Sequence, residues 1–175
     1  MNEVIKAMEE RRSIRSFKPD MPSQEDLDKI IEAGLYAPSG MGRQSSIIVA
    51  VTNKEVRDRL SDANRAIGGW GEGFDPFYGA PVILIVLANK AFPTYLYDGS
   101  LTMGNMMNAA YSLGLGSIWI HRAKEEFCQE EWKALLADLG VEGDFEGIGH
   151  CAVGYMEGEL QAPPARKEGR VFYVK

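Results

Sequence analysis

The hydrophobic positions of this chain form two patterns: stripes with helical spacing, and short continuous runs. The stripes predict helices over residues 3–11, 24–34, 54–64, 98–113 and 125–139. The runs predict buried strands over 47–52 and 82–88, a short strand over 117–120, and a last strand of small residues over 147–155. Helices and strands interleave without a strict β-α-β order, which favours an α+β fold with helices packed on a sheet.

Three segments depart from an ordinary amphipathic pattern. The helix predicted over 98–113 is apolar on every side, which is typical of a central helix covered on all faces. Residues 68–81 contain five glycines, two prolines and four aromatic residues, which predicts a loop. Two prolines keep the tail over 162–175 extended, and its segment 171–174 could add a strand to a sheet edge in this chain or in a partner.

Length and composition favour one folded domain over residues 1–175, with no repeat and no linker that would divide it. The longest apolar run, residues 80–88, is too short to cross a bilayer, and no apolar leader follows the first residues. The two cysteines do not form a C-x-x-C pair. We therefore expect a cytoplasmic protein in a reducing compartment, without a membrane partner.

The charge is unevenly distributed along the chain. The net charge of −6 argues against a nucleic-acid partner, yet residues 1–18 carry a net charge of +2 and residues 162–175 a net charge of +3. Two explanations are open at this point. The excess could be a chance feature of two frayed ends, or the two ends could meet around one anion.

Several familiar sites are absent from the sequence. No G-x-G-x-x-G follows a strand, and neither a phosphate-binding Walker motif nor a G-x-S-x-G elbow is present. His121 and His150 lack the spacing of metal ligands, so we expect packing or hydrogen-bonding roles for them and no metal site. Cys151, in a strand of small residues, is expected to be a buried and inert thiol.

Three motifs carry candidate chemistry. The first, RRSIRSF over 11–17, places three guanidinium groups and a hydroxyl within five residues, and guanidinium groups are suited to phosphate oxygens. In an extended segment Ser13 and Arg15 share one face, while Ile14 points the other way. The second motif is APSGMGRQ over 37–44, and the third is GLGSIWIHR over 114–122.

In this order, and with a long central helix and a basic tail, the motifs resemble the nitroreductase family of flavin oxidoreductases. The resemblance implies an α+β fold with a central mixed sheet flanked by helices, an intertwined homodimer, and one FMN at each of two interface sites. It also implies an NAD(P)H-linked enzyme that relays a hydride through flavin N5 to an electron-poor small-molecule acceptor, such as a nitroaromatic or a quinone. The flavin supplies this chemistry, so no catalytic side chain is expected.

The resemblance also assigns cofactor-binding residues. Arg11 and Ser13 resemble the phosphate ligands, with Arg12 as a neighbouring contact, and Arg15 resembles a residue at the pyrimidine edge of the flavin. The isoalloxazine is expected to lie against a segment of the other subunit formed by Pro38, Ser39 and Gly40, with Gln44 close behind. The N5 edge is expected to meet the stretch Ile120, His121 and Arg122, which offers a backbone N–H. The phosphate is expected to be covered by Arg166 and Lys167 of the tail, with Arg170 next.

The aromatic loop is the candidate acceptor site. Its glycines allow movement, and its aromatic side chains, Trp70, Phe74, Phe77 and Tyr78, could stack on planar substrates beside the flavin. The alternative is that these side chains fill the core beneath the loop.

The chain also departs from the family pattern after its serine motif. The usual N-x-Q-P-W is replaced by Gly42, Arg43, Gln44, Ser45 and Ser46, so the asparagine that often contacts the flavin is absent. Two other functions stay open. One is another reaction on the same fold, such as ene reduction, dehalogenation, dehydrogenation or flavin fragmentation. The other is a flavin-binding or redox-sensing protein without turnover. A structural dimer without flavin leaves the arginines unexplained.

Overall fold

A computed structural model of the chain describes residues 2–175, in which helices cover both sides of one sheet. The elements in chain order are α1 Glu3–Glu10, α2 Gln24–Leu35, a 3-10 turn Gly40–Gly42, β1 Ser46–Val51, α3 Lys54–Gly68, β2 Val82–Asn89, α4 Tyr95–Ser112, β3 Gly116–Ile120, α5 Ala123–Glu126, α6 Glu130–Asp138 and β4 Phe145–Gly154. The α+β class predicted from the sequence is therefore confirmed.

The four strands lie in the order β1-β2-β4-β3, and every neighbouring pair is antiparallel. This corrects the expected mixed sheet. The chain leaves the sheet at Val51, the end of β1, and passes through α3 and the 68–81 loop. It returns to the sheet beside that same end of β1, because Val51 pairs with Ile83 near the start of β2. Strand β2 therefore runs antiparallel to β1. Over residues 2–175 the parallel pairing is limited to an isolated bridge between Ser13 and Ser117.

Strand β2 is buried on both faces, which explains its continuous apolar run. Ile83, Ile85 and Leu87 belong to one core, which the side chains of α3, α5 and α6 complete. Alternate residues of the strand, beginning with Val82 and Leu84, belong to a second core that contains side chains of α2 and α4. The sheet is thus the middle layer between two helical layers.

Helix α4 is covered on one side and bare on the other. Met103, Met106 and Ala110 are fully buried against the sheet, and α2 approaches this side closely at Gly34. A Cβ atom at Gly34 would come within 2.7 Å of the Met106 Cγ atom, so only glycine allows this approach. The expectation of a helix covered on all faces is not met within one chain, because α4 leaves Tyr97 72% exposed.

Other predicted elements need small corrections. The single helix expected over 125–139 is two helices, α5 and α6, because Gln129 is extended (φ −82°, ψ 144°) and starts a new helix. This break lets Glu126 and Trp132 both enter the same core. Helix α3 extends past residue 64 to Gly68, and the left-handed Gly69 ends it.

The loop and tail also follow the sequence. Residues 69–81 contain no helix or strand, as predicted. The tail contains neither, and its 171–174 segment is exposed, so it adds no strand to the sheet of its own chain. Among the helices of residues 2–175, none combines the length and the apolar character that a bilayer crossing requires.

Candidate functional site

The arginine-rich segment after α1 is fixed beside the start of β3. The Ile14 N–H donates to the Ser117 carbonyl oxygen at 3.1 Å, and the Ile14 and Phe17 side chains are buried. Ser13 and Arg15, on the other side of the extended segment, are exposed. The sequence predicted this alternation, which turns the polar groups of the motif outward while its apolar residues anchor it.

Arg11 and Arg12 carry hydrogen-bond donors that the protein does not use. Two buried atoms, Arg11 Nη1 and Arg12 Nε, have no partner in the described part of the chain. No carboxylate within residues 2–175 forms an ion pair with either guanidinium group. Burial lowers the pKa of Arg11, and the neighbouring positive charge of Arg12 lowers it further. Unused donors and uncompensated positive charge are the features of an anion site.

A cleft of about 530 Å³ opens beside these arginines, and its charged and hydroxyl-bearing lining residues are Arg12, Ser13, Arg15, Ser16, Glu157 and Glu159. Gln161, Ala162 and Pro164, at the beginning of the tail, also line it. The uncharged start of the tail therefore lies beside the arginine-rich segment. The Arg166 guanidinium donates to the Pro164 carbonyl oxygen within the tail, and Lys167 is exposed. The structure thus brings the tail to the cleft, while the predicted contact of Arg166 and Lys167 with an anion stays a prediction.

The second motif is held by one buried carboxylate, Asp98 of α4. Its oxygens accept the Gly40 N–H at 2.9 Å, the Ser45 hydroxyl at 2.7 Å and the Thr94 hydroxyl at 3.0 Å. Burial raises the pKa of Asp98, but these hydrogen bonds outweigh it, so the pKa lies below its ordinary value. An ionised Asp98 thus fixes both ends of the 40–45 segment.

Sequence reasoning assigned no role to Asp98. The one signal available was an acidic residue at the start of an otherwise apolar helix pattern. The Asp98 contact also explains one departure from the family pattern, because the hydroxyl of Ser45, which stands where proline is usual, is one of its donors. Within the loop, the Gln44 N–H donates to the Ser39 hydroxyl at 2.9 Å, and Pro38 is exposed.

The third motif ends in an unusual backbone conformation. Ile120 closes β3 and is buried, and the His121 side chain is exposed. Arg122 has a left-handed backbone with φ of 79°, which is rare for a residue other than glycine. Its guanidinium carbon lies 4.4 Å from the centre of the Trp70 ring, so the third motif contacts the aromatic loop.

The aromatic loop is anchored by Asp75, which accepts the Ser61 hydroxyl at 2.7 Å and the Phe77 and Gly79 N–H groups at 2.9 and 2.8 Å. The Arg57 guanidinium also contacts this carboxylate. Burial raises the pKa of Asp75, and the hydrogen bonds from Arg57, Ser61 and the backbone lower it to below its ordinary value.

The four aromatic side chains of the loop separate into two groups. Phe77 has no exposed surface and packs 5.3 Å from the His150 ring, so it belongs to the core, and its predicted role in stacking on a substrate is corrected. Trp70 and Phe74 remain more than a third exposed, with ring centres 4.9 Å apart. Tyr78 meets Phe74 edge to face.

The first two motifs lie at opposite ends of α4. Near one end Asp98 holds the 40–45 segment, and near the other the Tyr111 hydroxyl donates to Glu10, next to the arginines, at 2.7 Å. Thirteen helical residues separate Asp98 from Tyr111, which is about 20 Å along the axis. One chain therefore does not bring the two motifs together.

The cysteine and histidine at positions 151 and 150 lie in the core and have structural roles. Burial raises the pKa of the Cys151 thiol to about 12, which confirms an inert group. His150 is buried and hydrogen-bonded, as expected. In the described range 2–175, no three His, Cys, Asp or Glu side chains are grouped as metal ligands would be.

Comparison with known proteins gives consistent similarities. The model of the Nitroreductase family matches residues 8–67. A crystal structure of a nitroreductase with bound FMN from Bacteroides fragilis is 31% identical, covers all of both chains and superposes with a TM-score of 0.88. A nitroreductase with bound FMN from Desulfitobacterium hafniense is 28% identical over all of both chains, with a TM-score of 0.89. A protein of Bacillus subtilis named FMN reductase [NAD(P)H] is 31% identical over 67% of this chain and 53% of its own length.

The role of Asp98 gives a prediction. Asp98→Asn should lower the free energy of unfolding at pH 7 by roughly 1–3 kcal/mol, because buried donors lose their charged acceptor. The hydrogen bonds place the folded-state pKa of Asp98 below 3.8, so the wild-type advantage is full above about pH 3.8 and disappears as the pH falls through the lowered pKa.

Urea unfolding of both proteins between pH 7 and pH 2.5 measures this difference. Asp138→Asn, at the exposed end of α6, is the matched control and should track the wild type throughout. An Asp98→Asn deficit that persists unchanged to the lowest pH would contradict the assignment.

Proposed function

Because this chain belongs to the nitroreductase family, we propose that it is an FMN-dependent oxidoreductase that takes electrons from NAD(P)H. The observation that carries the proposal is the pair of buried guanidinium donors, on Arg11 and Arg12, that lack a protein acceptor. Ser13 adds a hydroxyl beside them at the cleft. The acceptor of electrons is an electron-poor small molecule, such as a nitroaromatic or a quinone.

The residues present fit the phosphate of FMN. A phosphate monoester carries close to two negative charges at neutral pH and offers several oxygens as acceptors. Arg11 and Arg12 supply two positive charges, and their unused donors need acceptors that the described chain does not provide. The basic tail, with Arg166 and Lys167, is proposed to close over the same phosphate, since its 161–164 segment already lines the cleft.

The chain contributes binding, orientation and charge. Bound FMN would accept a hydride from NAD(P)H and pass electrons to the acceptor. Arg15 is proposed to lie at the pyrimidine edge, where its positive charge would favour the reduced and more negative cofactor. Ile120, His121 and Arg122 are proposed to pass the N5 edge, with a backbone N–H directed at the cofactor. We assign no side chain the role of a nucleophile, general acid or general base.

We also propose that each site is completed by a second copy of the chain. The points where α4 contacts the 40–45 segment, at Asp98, and Glu10 next to the arginines, at Tyr111, lie about 20 Å apart along the helix axis. This separation favours a site that takes Pro38–Gly40 and Gln44 from a second copy. Two antiparallel copies of α4 would place the segment of one copy beside the arginines of the other. The bare side of α4, which carries Tyr97 and Leu101, is the surface that such pairing would cover.

Four further predictions are part of this proposal. The chain is proposed to be one FMN-binding domain over residues 1–175. Its location is proposed to be the cytoplasm, and its 171–174 segment is proposed to dock on the partner subunit, because it is exposed in its own chain. The acceptor is proposed to contact the exposed side chains of Trp70 and Phe74 and the half-buried side chain of Tyr78.

Loss of the phosphate ligands should weaken FMN binding. Arg11→Ala/Ser13→Ala removes a charged and a neutral donor, and a hydrogen bond to a charged group contributes roughly 1.5–3 kcal/mol. We expect the Kd for FMN to rise at least about tenfold. Fluorescence titration of flavin-free protein with FMN measures this, with the melting temperature recorded in parallel.

The matched control is Lys18→Ala, which removes an exposed positive charge from the same segment outside the cleft. It should leave the Kd within about twofold. Wild-type affinity in the double variant would reject the phosphate assignment.

The proposed reaction has a direct readout in the visible spectrum. Purified protein should show flavin absorbance that NAD(P)H bleaches without oxygen and that an added nitroaromatic or quinone restores. Phe74→Ala should change the ratio of kcat/KM between these acceptors while the flavin content holds, because the side chain lies at the surface. Phe77→Ala serves as the comparison variant, because its side chain lies in the core. It should lower stability by about 3–5 kcal/mol, because it empties a core position.

Two results would contradict this proposal. Flavin that NAD(P)H does not bleach would instead support a flavin-binding protein without turnover. Equal losses with every acceptor in Phe74→Ala would place this side chain outside the acceptor site.

The shared site predicts dependence on the dimer. Leu101→Glu places a charge on the bare side of α4, where the residue is 47% exposed, so the loss of packing within the single chain is partial. We expect monomers in sedimentation velocity and a parallel loss of bound flavin. Leu139→Glu, at a similarly exposed leucine past the end of α6, should remain a flavin-loaded dimer. A flavin-loaded monomer of Leu101→Glu would refute the shared site.

A further inference from the structure

Three consecutive backbone carbonyl groups at the end of β3, those of residues 120–122, contact hydrogen-bonding groups of the protein. The Ile120 oxygen lies 3.3 Å from His150 Nδ1, and the His121 oxygen accepts from Asn64 Nδ2 at 2.8 Å. The Arg122 oxygen accepts the Glu126 N–H at 3.0 Å.

The side chains behind these contacts form a buried polar trio, Asn64, Glu126 and His150, each with no exposed surface. A carbonyl can only accept, so the contact with Ile120 requires the hydrogen to be on His150 Nδ1. His150 Nε2 lies 2.5 Å from Glu126 Oε2, so a hydrogen bond joins the imidazole to the carboxyl group. The trio therefore acts as a donor toward the end of β3.

The trio is costly to bury. Glu126 Oε1 and Asn64 Oδ1 are buried without a partner in the described chain, and each such atom costs about 1–3 kcal/mol. Apolar side chains of similar volume would fill the same space without this cost. Stability therefore does not explain the trio, whereas its contacts with residues 120–122 do.

The segment that the trio holds is strained. Arg122 is left-handed at φ 79°, a conformation that costs a residue other than glycine roughly 1–2 kcal/mol. Within residues 2–175 its backbone N–H has no hydrogen-bond acceptor. A strained residue with a free donor, fixed from the interior, is typical of a position that contacts a ligand.

We propose that Asn64, Glu126 and His150 are positioning residues that fix the Ile120–Arg122 backbone and direct the free Arg122 N–H to the flavin. This inference rests on the proposed function, because the flavin is the ligand that the N–H would meet. The trio does not touch the cofactor. It acts through the backbone, where an error of one ångström in the position of a donor can cost a hundredfold in rate.

The test uses variants of similar volume. Asn64→Leu and His150→Leu remove the donors to His121 and Ile120. We expect kcat for flavin reduction by NAD(P)H to fall at least about tenfold, with KM changed little. The midpoint potential of the bound flavin should shift in the same variants. His150→Asn keeps a donor near the position of Nδ1 and should recover most of the lost rate.

The matched control for lost stability is Leu60→Ala, which empties a fully buried position on the same helix as Asn64. It should lower the melting temperature while the potential and kcat of the folded protein stay at wild-type values. If Asn64→Leu and His150→Leu behave like Leu60→Ala, the trio only packs the core and the inference is overturned.

A second measurement separates this inference from the proposed function. Hydrogen exchange on flavin-free protein should show faster exchange of the 116–127 peptide in Asn64→Leu than in Leu60→Ala, and equal exchange would overturn the anchoring role. Wild-type protein without flavin would overturn the proposed function, and the exchange experiment would still decide whether the trio fixes this backbone. If Asn64→Leu fails to fold, a comparison of His150→Asn with His150→Leu tests whether the trio fixes this backbone.

Discussion

The length of helix α4 is the constraint on which the arrangement of the site depends. Its inner side is buried against the sheet, and its contacts with the 40–45 segment and with Glu10, next to the arginines, lie about 20 Å apart along its axis. The arginines, with their unused donors, therefore lie near one end of α4, and the 40–45 segment anchored by Asp98 lies near the other. The proposed cofactor site therefore takes these two motifs from two chains. The bare side of the same helix is the surface through which a second chain would bring them together.

Carboxylates fix each loop of the candidate site, and Asp98 and Glu126 are buried while Asp75 is half-buried. Asp98 holds the 40–45 segment, Asp75 holds the aromatic loop, and Glu126 acts with His150 on the end of β3. Hydrogen bonds to charged groups contribute more than those between neutral groups, and they have a fixed direction. This allows loops rich in glycine and proline to keep one conformation next to a site that must remain open to substrates. The hydrophobic cores position the elements, and these carboxylates position the segments between them.

Much of the fold could be predicted from local patterns, and the errors have identifiable physical causes. Strand β2 was predicted because both of its faces are buried, which leaves a continuous apolar run. The break between α5 and α6 was missed, because both helices share an apolar spacing and the extended Gln129 leaves no strong signal in the sequence. Phe77 was grouped with its aromatic neighbours, because residue type cannot distinguish a side chain that enters the core from one that remains at the surface.

By itself the sequence determined the elements, the alternation of Ser13, Ile14 and Arg15, and the family to which the three motifs point, because these depend on spacing between near neighbours. Tertiary structure alone decided the antiparallel order of the sheet, the separation of the motifs along α4, and the partners of Asp98 and His150. Asn64 and Ile120 lie far apart in the chain, and the sequence pattern predicts only that one is a helix residue and the other a strand residue. Their connection to one strained backbone segment exists only after folding, because contacts between distant residues leave no periodic pattern in a single sequence.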